Sequence, residues 1–74
     1  MKDYQKRAAA LGKLECAIRN YCIRECITQS ELRAAIANCT RQKVTRHEVL
    51  HTFDKALNHS QLTTVKVFMR EALC

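Results

Sequence analysis

Residues 4–27, YQKRAAALGKLECAIRNYCIRECI, decide how the rest of the chain must fold. They hold no proline and one glycine, Gly12, and they space Tyr4, Ala8, Leu11, Leu14, Ile18, Tyr21 and Cys22 mostly at threes and fours. That spacing is one face of an α-helix. A helix of this stretch would span about 36 Å, roughly the width of a small domain. The predicted first helix covers residues 3–27, and the shorter helices after it must dock on its apolar row. Lys2, Lys6, Lys13 and Arg24, with Asn20 between them, fall opposite that row with no acid among them. Cys16, Ile23 and Ile27 fall off the main stripe, so the end of the helix either packs on two sides or bends.

Downstream, Thr28-Gln29-Ser30-Glu31 reads as a capping box opening a second helix over 30–38, with Leu32, Ala35, Ile36 and Cys39 apolar. Asn38 tolerates positive φ and suits the C-terminal cap. A polar loop, Thr40 to Val44, follows. Thr45-Arg46-His47-Glu48 is a second capping box and opens a helix over 45–58, whose apolar face is Val49, Leu50, Phe53, Ala56 and Leu57. Ser60 is the expected cap of a last helix over 61–73, striped by Leu62, Val65, Phe68, Met69, Ala72 and Leu73. No alternating strand pattern, repeat or linker interrupts this order. The expectation is an all-α, compact four-helix domain spanning 1–74, with the first helix as its spine.

Composition agrees. The 74 residues are 47% hydrophobic and 27% charged, a globular rather than a disordered balance. Tryptophan is absent and aromatics make up 5%, so the core should be aliphatic. A chain this short is close to the size at which a lone core is marginal, which favours tight packing or self-association. The N-terminal residues lack a signal-peptide core or membrane span, so the expected address is the cytoplasm and no membrane partner is expected. Five cysteines (Cys16, Cys22, Cys26, Cys39 and Cys74) then read as reduced thiols. The formal charge of +6 tilts partner choice toward polyanions.

Several motifs invite chemistry. His47-Glu48-Val49-Leu50-His51 matches H-E-x-x-H, in which two imidazoles one turn apart bind zinc and the glutamate activates water. Asp54 continues the same face. A short all-helical chain offers that chemistry no cleft and no third histidine at the required spacing, so the match reads as a polar helix face. Cys22 and Cys26 pair at i, i+4, as do His47 and His51, and two such pairs on facing helices have the donor set of a structural zinc site. The histidines, however, fall well away from the apolar centre of their helix, so no metal is expected. Helix, loop and helix across residues 31–48 share the cadence of an EF-hand. The loop lacks Asp and Gly and carries Arg41 and Lys43, which repel Ca²⁺. With no phosphate-binding glycine loop, nucleophile elbow or paired carboxylates, neither an enzyme nor a cofactor is expected.

The motif with most behind it is a helix-turn-helix formed by the second and third helices. Arg41, Lys43, Arg46 and His47 crowd the N-terminal end of its second helix, where free N–H groups also favour phosphate. Two features depart from such units. The loop is long, and Arg33 occupies a position that is usually apolar. The expected function is that of a small regulatory protein, transcriptional-regulator-like, binding nucleic acid through Arg41, Lys43, Arg46 and His47 with help from Lys6, Lys13 and Arg24. The alternative is a protein–protein adaptor or inhibitor, of the kind bacteria and phage use, acting through apolar surface on the first helix. Either reading fits a homodimer.

Overall fold

The computed structural model describes residues 3–73, apart from the side chain of Leu73. The expectations for Lys2, Cys74 and the Leu73 side chain fall outside what is described. Four helices follow in order: α1 (Asp3–Cys22), α2 (Gln29–Arg41), α3 (Arg46–Ala56) and α4 (His59–Leu73). No strand occurs among the described residues. The chain is an all-α four-helix fold, and none of its described helices is long and apolar enough to cross a membrane.

The boundaries depart from expectation in instructive ways. α1 stops at Cys22 rather than residue 27. The amides of Ile23 and Arg24 both donate to the Arg19 carbonyl, the Cys26 amide donates to Asn20, and Glu25 takes φ 54°. Helical continuation would carry Ile27 to the side of α1 roughly opposite Leu14 and Ile18. Leaving the helix lets Ile27 pack against the core and gives the chain room to reverse before α2.

α2 runs past Asn38 to Arg41 instead of ending at 38. The Val44 amide donates to the Cys39 carbonyl at 2.9 Å, the Lys43 amide donates to Thr40 at 3.0 Å, and Lys43 has φ 62°. This is a Schellman motif with lysine in the left-handed position where glycine is usual. Val44 and Cys39, both buried, supply its hydrophobic contact. α3 ends at Ala56 rather than 58. Its successor starts at His59 rather than 61, because Asn58 and not Ser60 is the cap. The Asn58 amide donates to Gln61 Oε1 and the Gln61 amide donates to Asn58 Oδ1, both at 2.9 Å. The box at Thr45 is likewise reciprocal, with the Thr45 amide donating to Glu48 Oε2 at 2.9 Å and the Glu48 amide to Thr45 Oγ1 at 3.2 Å. The one at Thr28 is half made, with the Glu31 amide donating to Thr28 Oγ1.

Ala10, Leu14 and Ile18 form the buried line of α1, flanked by Leu11, Ala17, Tyr21 and Cys22. Tyr4 and Ala8 belong to the expected row but stay exposed. α2 covers the Ala10 side, close enough for the Cys39 thiol to donate to the Ala10 carbonyl at 3.4 Å. α2 therefore returns toward the start of α1. α3 begins beside that start, where Glu48 meets Arg7, and runs with α1 until Lys55 reaches Glu15 at 3.5 Å. α4 then passes Tyr21 and Arg33, with Phe68 6.1 Å from the Tyr21 ring and the Arg33 guanidinium 5.1 Å from the Phe68 centroid, and reaches the end of α2 where Ala72 shares a groove with Thr40 and Arg41. Phe53, Leu14, Ile18 and Leu32 are fully buried where these elements meet.

Candidate nucleic-acid interface

The basic cluster sits on the α2–α3 connector. Arg41 is the last residue of α2, Lys43 is the left-handed residue of the turn, and Arg46 and His47 are the first two residues of α3; all four side chains are exposed. Val44 between them is buried, so the turn is pinned to the core while its cations are held in water. Among the described residues no carboxylate lies within ion-pair distance of Arg41, Lys43 or Arg46. Their charge is therefore not cancelled locally, unlike that of Arg7, Arg19, Arg33 and Lys55.

The other expected contributors lie along α1. Lys6 is exposed at the same end as the connector, next to Arg7. Lys13 is exposed midway and shares a shallow groove with Glu31. Arg24 follows the end of α1, donates to Asn20 Oδ1 at 3.3 Å, and stands roughly 20 Å along the helix direction from Arg7. The structure thus gathers Arg41, Lys43, Arg46, His47 and Lys6 at one end and leaves Lys13 and Arg24 away from them.

Arg7 is the residue that sequence reasoning does not single out. One of its guanidinium nitrogens lies between both carboxylate oxygens of Glu48, 2.6 Å from Oε2. The bond from Arg7, followed by that from the Thr45 backbone, holds the Glu48 carboxyl below its ordinary value. Glu48 would otherwise repel a phosphate near the connector, and here it is bound by a cation. Arg7 stands four residues before Leu11 and seven before Leu14, and that interval, which places it beside the buried stripe, was the available signal.

The H-E-x-x-H residues have a different setting from a metalloprotease site. His47 and His51 are exposed on the rim of an open groove of about 600 Å³ between α1 and α3. Glu48 is engaged by Arg7 and the Thr45 amide, so its carboxylate is not free to activate water. Cys26 is exposed beyond α1 and no longer shares a helix face with Cys22. Among the described residues no group of three or more His, Cys, Asp or Glu side chains is placed to hold a metal ion. Burial raises the Cys22 and Cys39 thiols above their ordinary value, which makes both poor nucleophiles.

Comparison of the chain with protein-family models, with curated proteins and with solved structures gives no match.

Proposed function

We propose that this chain is a small, non-enzymatic regulatory protein that binds nucleic acid through the connector between α2 and α3. The observation that carries the reading is the state of Arg41, Lys43 and Arg46: three exposed cations within six residues, without carboxylate partners, on a turn anchored by Val44. Lys43 strengthens it. A left-handed lysine costs about 1 kcal/mol or more relative to glycine, so its charge is present at a position where stability alone favours glycine. The N-terminal N–H groups of α3 and the nearby Lys6 add to the same positive end, and Lys13 and Arg24 extend the field along α1. The site of action is the cytoplasm, with reduced thiols, and the working form is a homodimer.

The triple variant R41A/K43A/R46A tests the proposal. It is expected to keep the native far-UV circular dichroism spectrum and to lose retention on immobilised duplex DNA at salt concentrations where the native chain is held. Equal retention of the two proteins rejects the connector as the contact surface.

A second reading, a protein-binding adaptor or inhibitor, draws on apolar exposure along the first helix. Tyr4 is 63% exposed and Ile23, just beyond α1, is 50% exposed. A partner held by such contacts would remain bound when ionic strength is raised, which separates this reading from the first.

A further inference from the structure

The outer surface of α4 has a composition that no other helix shares. Its first turn has no acid, whereas α1, α2 and α3 carry Asp3, Glu31 and Glu48 there. No acid occurs anywhere between Asn58 and Arg70, and the first one reached, Glu71, pairs with Arg33 at 3.7 Å. With Val65 and Phe68 buried inward, the helical period turns Ser60, Thr63, Val67 and Arg70 to the outside, and all four are exposed. Lys66 flanks them, and neither Lys66 nor Arg70 has a carboxylate partner among the described residues. The Thr63 hydroxyl donates to the His59 carbonyl at 3.0 Å, which leaves its oxygen free to accept. Val67 is 63% exposed, an apolar side chain flanked by Lys66 and Arg70, with Glu71, which Arg33 engages, one turn further on.

The outer face of α3 is a poorer match for a polyanion. Asp54 is exposed on it, and its Lys55 is occupied by Glu15. From this contrast the geometry points to α4 as the helix that enters the major groove of duplex DNA and reads base edges, with the connector cations gripping the flanking backbone. This inference rests on the nucleic-acid reading above. Ser60, Thr63 and Val67 have short side chains, so they touch bases only if the helix itself enters the groove. The major groove of B-form DNA admits a helix, whereas that of A-form RNA does not. Threonine and valine methyls suit the thymine methyl, hydroxyls suit base-edge donors and acceptors, and Arg70 suits guanine. The end of α4 lies near the connector: Ala72, on its inward side, lines the same groove as Thr40 and Arg41 of α2.

Enrichment from a randomised double-stranded DNA library, followed by titration of the enriched duplex, tests the assignment on the native chain and on T63A/V67A. Both positions are exposed and alanine has the higher helix propensity, and circular dichroism verifies that α4 persists. The native chain is expected to enrich a sequence motif. T63A/V67A is expected to bind the enriched duplex about tenfold more weakly, with its salt dependence on random duplex unaltered. A motif bound equally well by T63A/V67A, or duplex binding that enriches no motif, overturns the role of α4 and leaves the connector reading intact. Absence of any duplex binding by the native chain overturns both.

Discussion

Lys43 and Glu48, five residues apart, show the physical chemistry of the connector in opposite ways. Lys43 holds φ 62° at the C′ position of a Schellman motif, where a side chain strains the backbone and glycine does not. Lys43→Gly is therefore expected to stabilise the fold by about 0.5–1 kcal/mol, the relief being partly offset by the greater freedom of glycine in the unfolded chain. The same change is expected to weaken duplex binding, since it removes a cation. Urea denaturation and a salt-gradient elution on one sample measure both effects, and a variant that gains stability without losing affinity would separate Lys43 from the interface. Glu48 titrates below its ordinary pKa of 4.5 because Arg7 and the Thr45 amide favour the charged form. A folded-state pKa that is lowered contributes stability that is present above the unfolded value and is lost as pH falls through the folded one. The difference in melting temperature between the native chain and Glu48→Gln should thus be widest near neutrality and should close as pH is taken below 4.5. A difference that stays constant across that range would contradict the pairing.

Helix starts were better marked in the sequence than helix ends, and the reason is chemical. An N-cap is advertised by a pair of residue types three apart, as at Thr45 and Glu48, and that box is fully formed. Asn58 and Gln61 form an equally reciprocal box with a pair that the threonine–glutamate pattern does not cover, which is why Ser60 drew the assignment instead. The ends of α1 and α2 are left-handed residues, Glu25 and Lys43, and neither is a glycine or asparagine that would have announced the turn. The apolar period also hid the stop at Cys22, because Tyr21 and Cys22 continue the stripe to the last residue of the helix. Replacing a reciprocal cap removes a bond that satisfies an end-of-helix amide. Thr45→Ala is expected to cost about 1 kcal/mol by removing the acceptor of the Glu48 amide and, because that loosens the turn whose Thr45 amide shares the Glu48 carboxylate with Arg7, to weaken the ion pair as well. Chemical denaturation of Thr45→Ala, Arg7→Ala and the double variant checks this: the two effects should fall short of additive, and strict additivity would show that cap and ion pair act independently.

For the molecule as a whole, the stability expected of 74 residues is about 4–11 kcal/mol, so one central side chain can account for much of it. Phe53 is fully buried in the shared core, and Phe53→Ala is expected to cost about 3–5 kcal/mol and to lower the melting temperature steeply, as read by thermal denaturation. The four-helix order and most of this core were legible, since Leu14, Ile18, Leu32, Ile36, Val49, Phe53, Val65 and Phe68 stand at helical spacing. The surface was less so. The basic residues of the connector were visible as a run, but which cations are cancelled depends on contacts far apart in sequence, such as Arg7 with Glu48, 41 positions away. The outward row of α4, free of acid as far as Arg70, likewise emerges only once burial of Val65 and Phe68 shows which side is wet. The central claim is that Arg41, Lys43 and Arg46 contact phosphate, and the dependence of duplex DNA affinity on salt tests it most directly. Each phosphate contact on duplex DNA adds about 0.9 to the steepness of log K against log salt, so the native chain should show a slope of about −2.7 or steeper, and R41A/K43A/R46A a slope shallower than the native one by about 2.7. A native chain that binds no duplex at low ionic strength, or binds with an affinity indifferent to salt, contradicts the account.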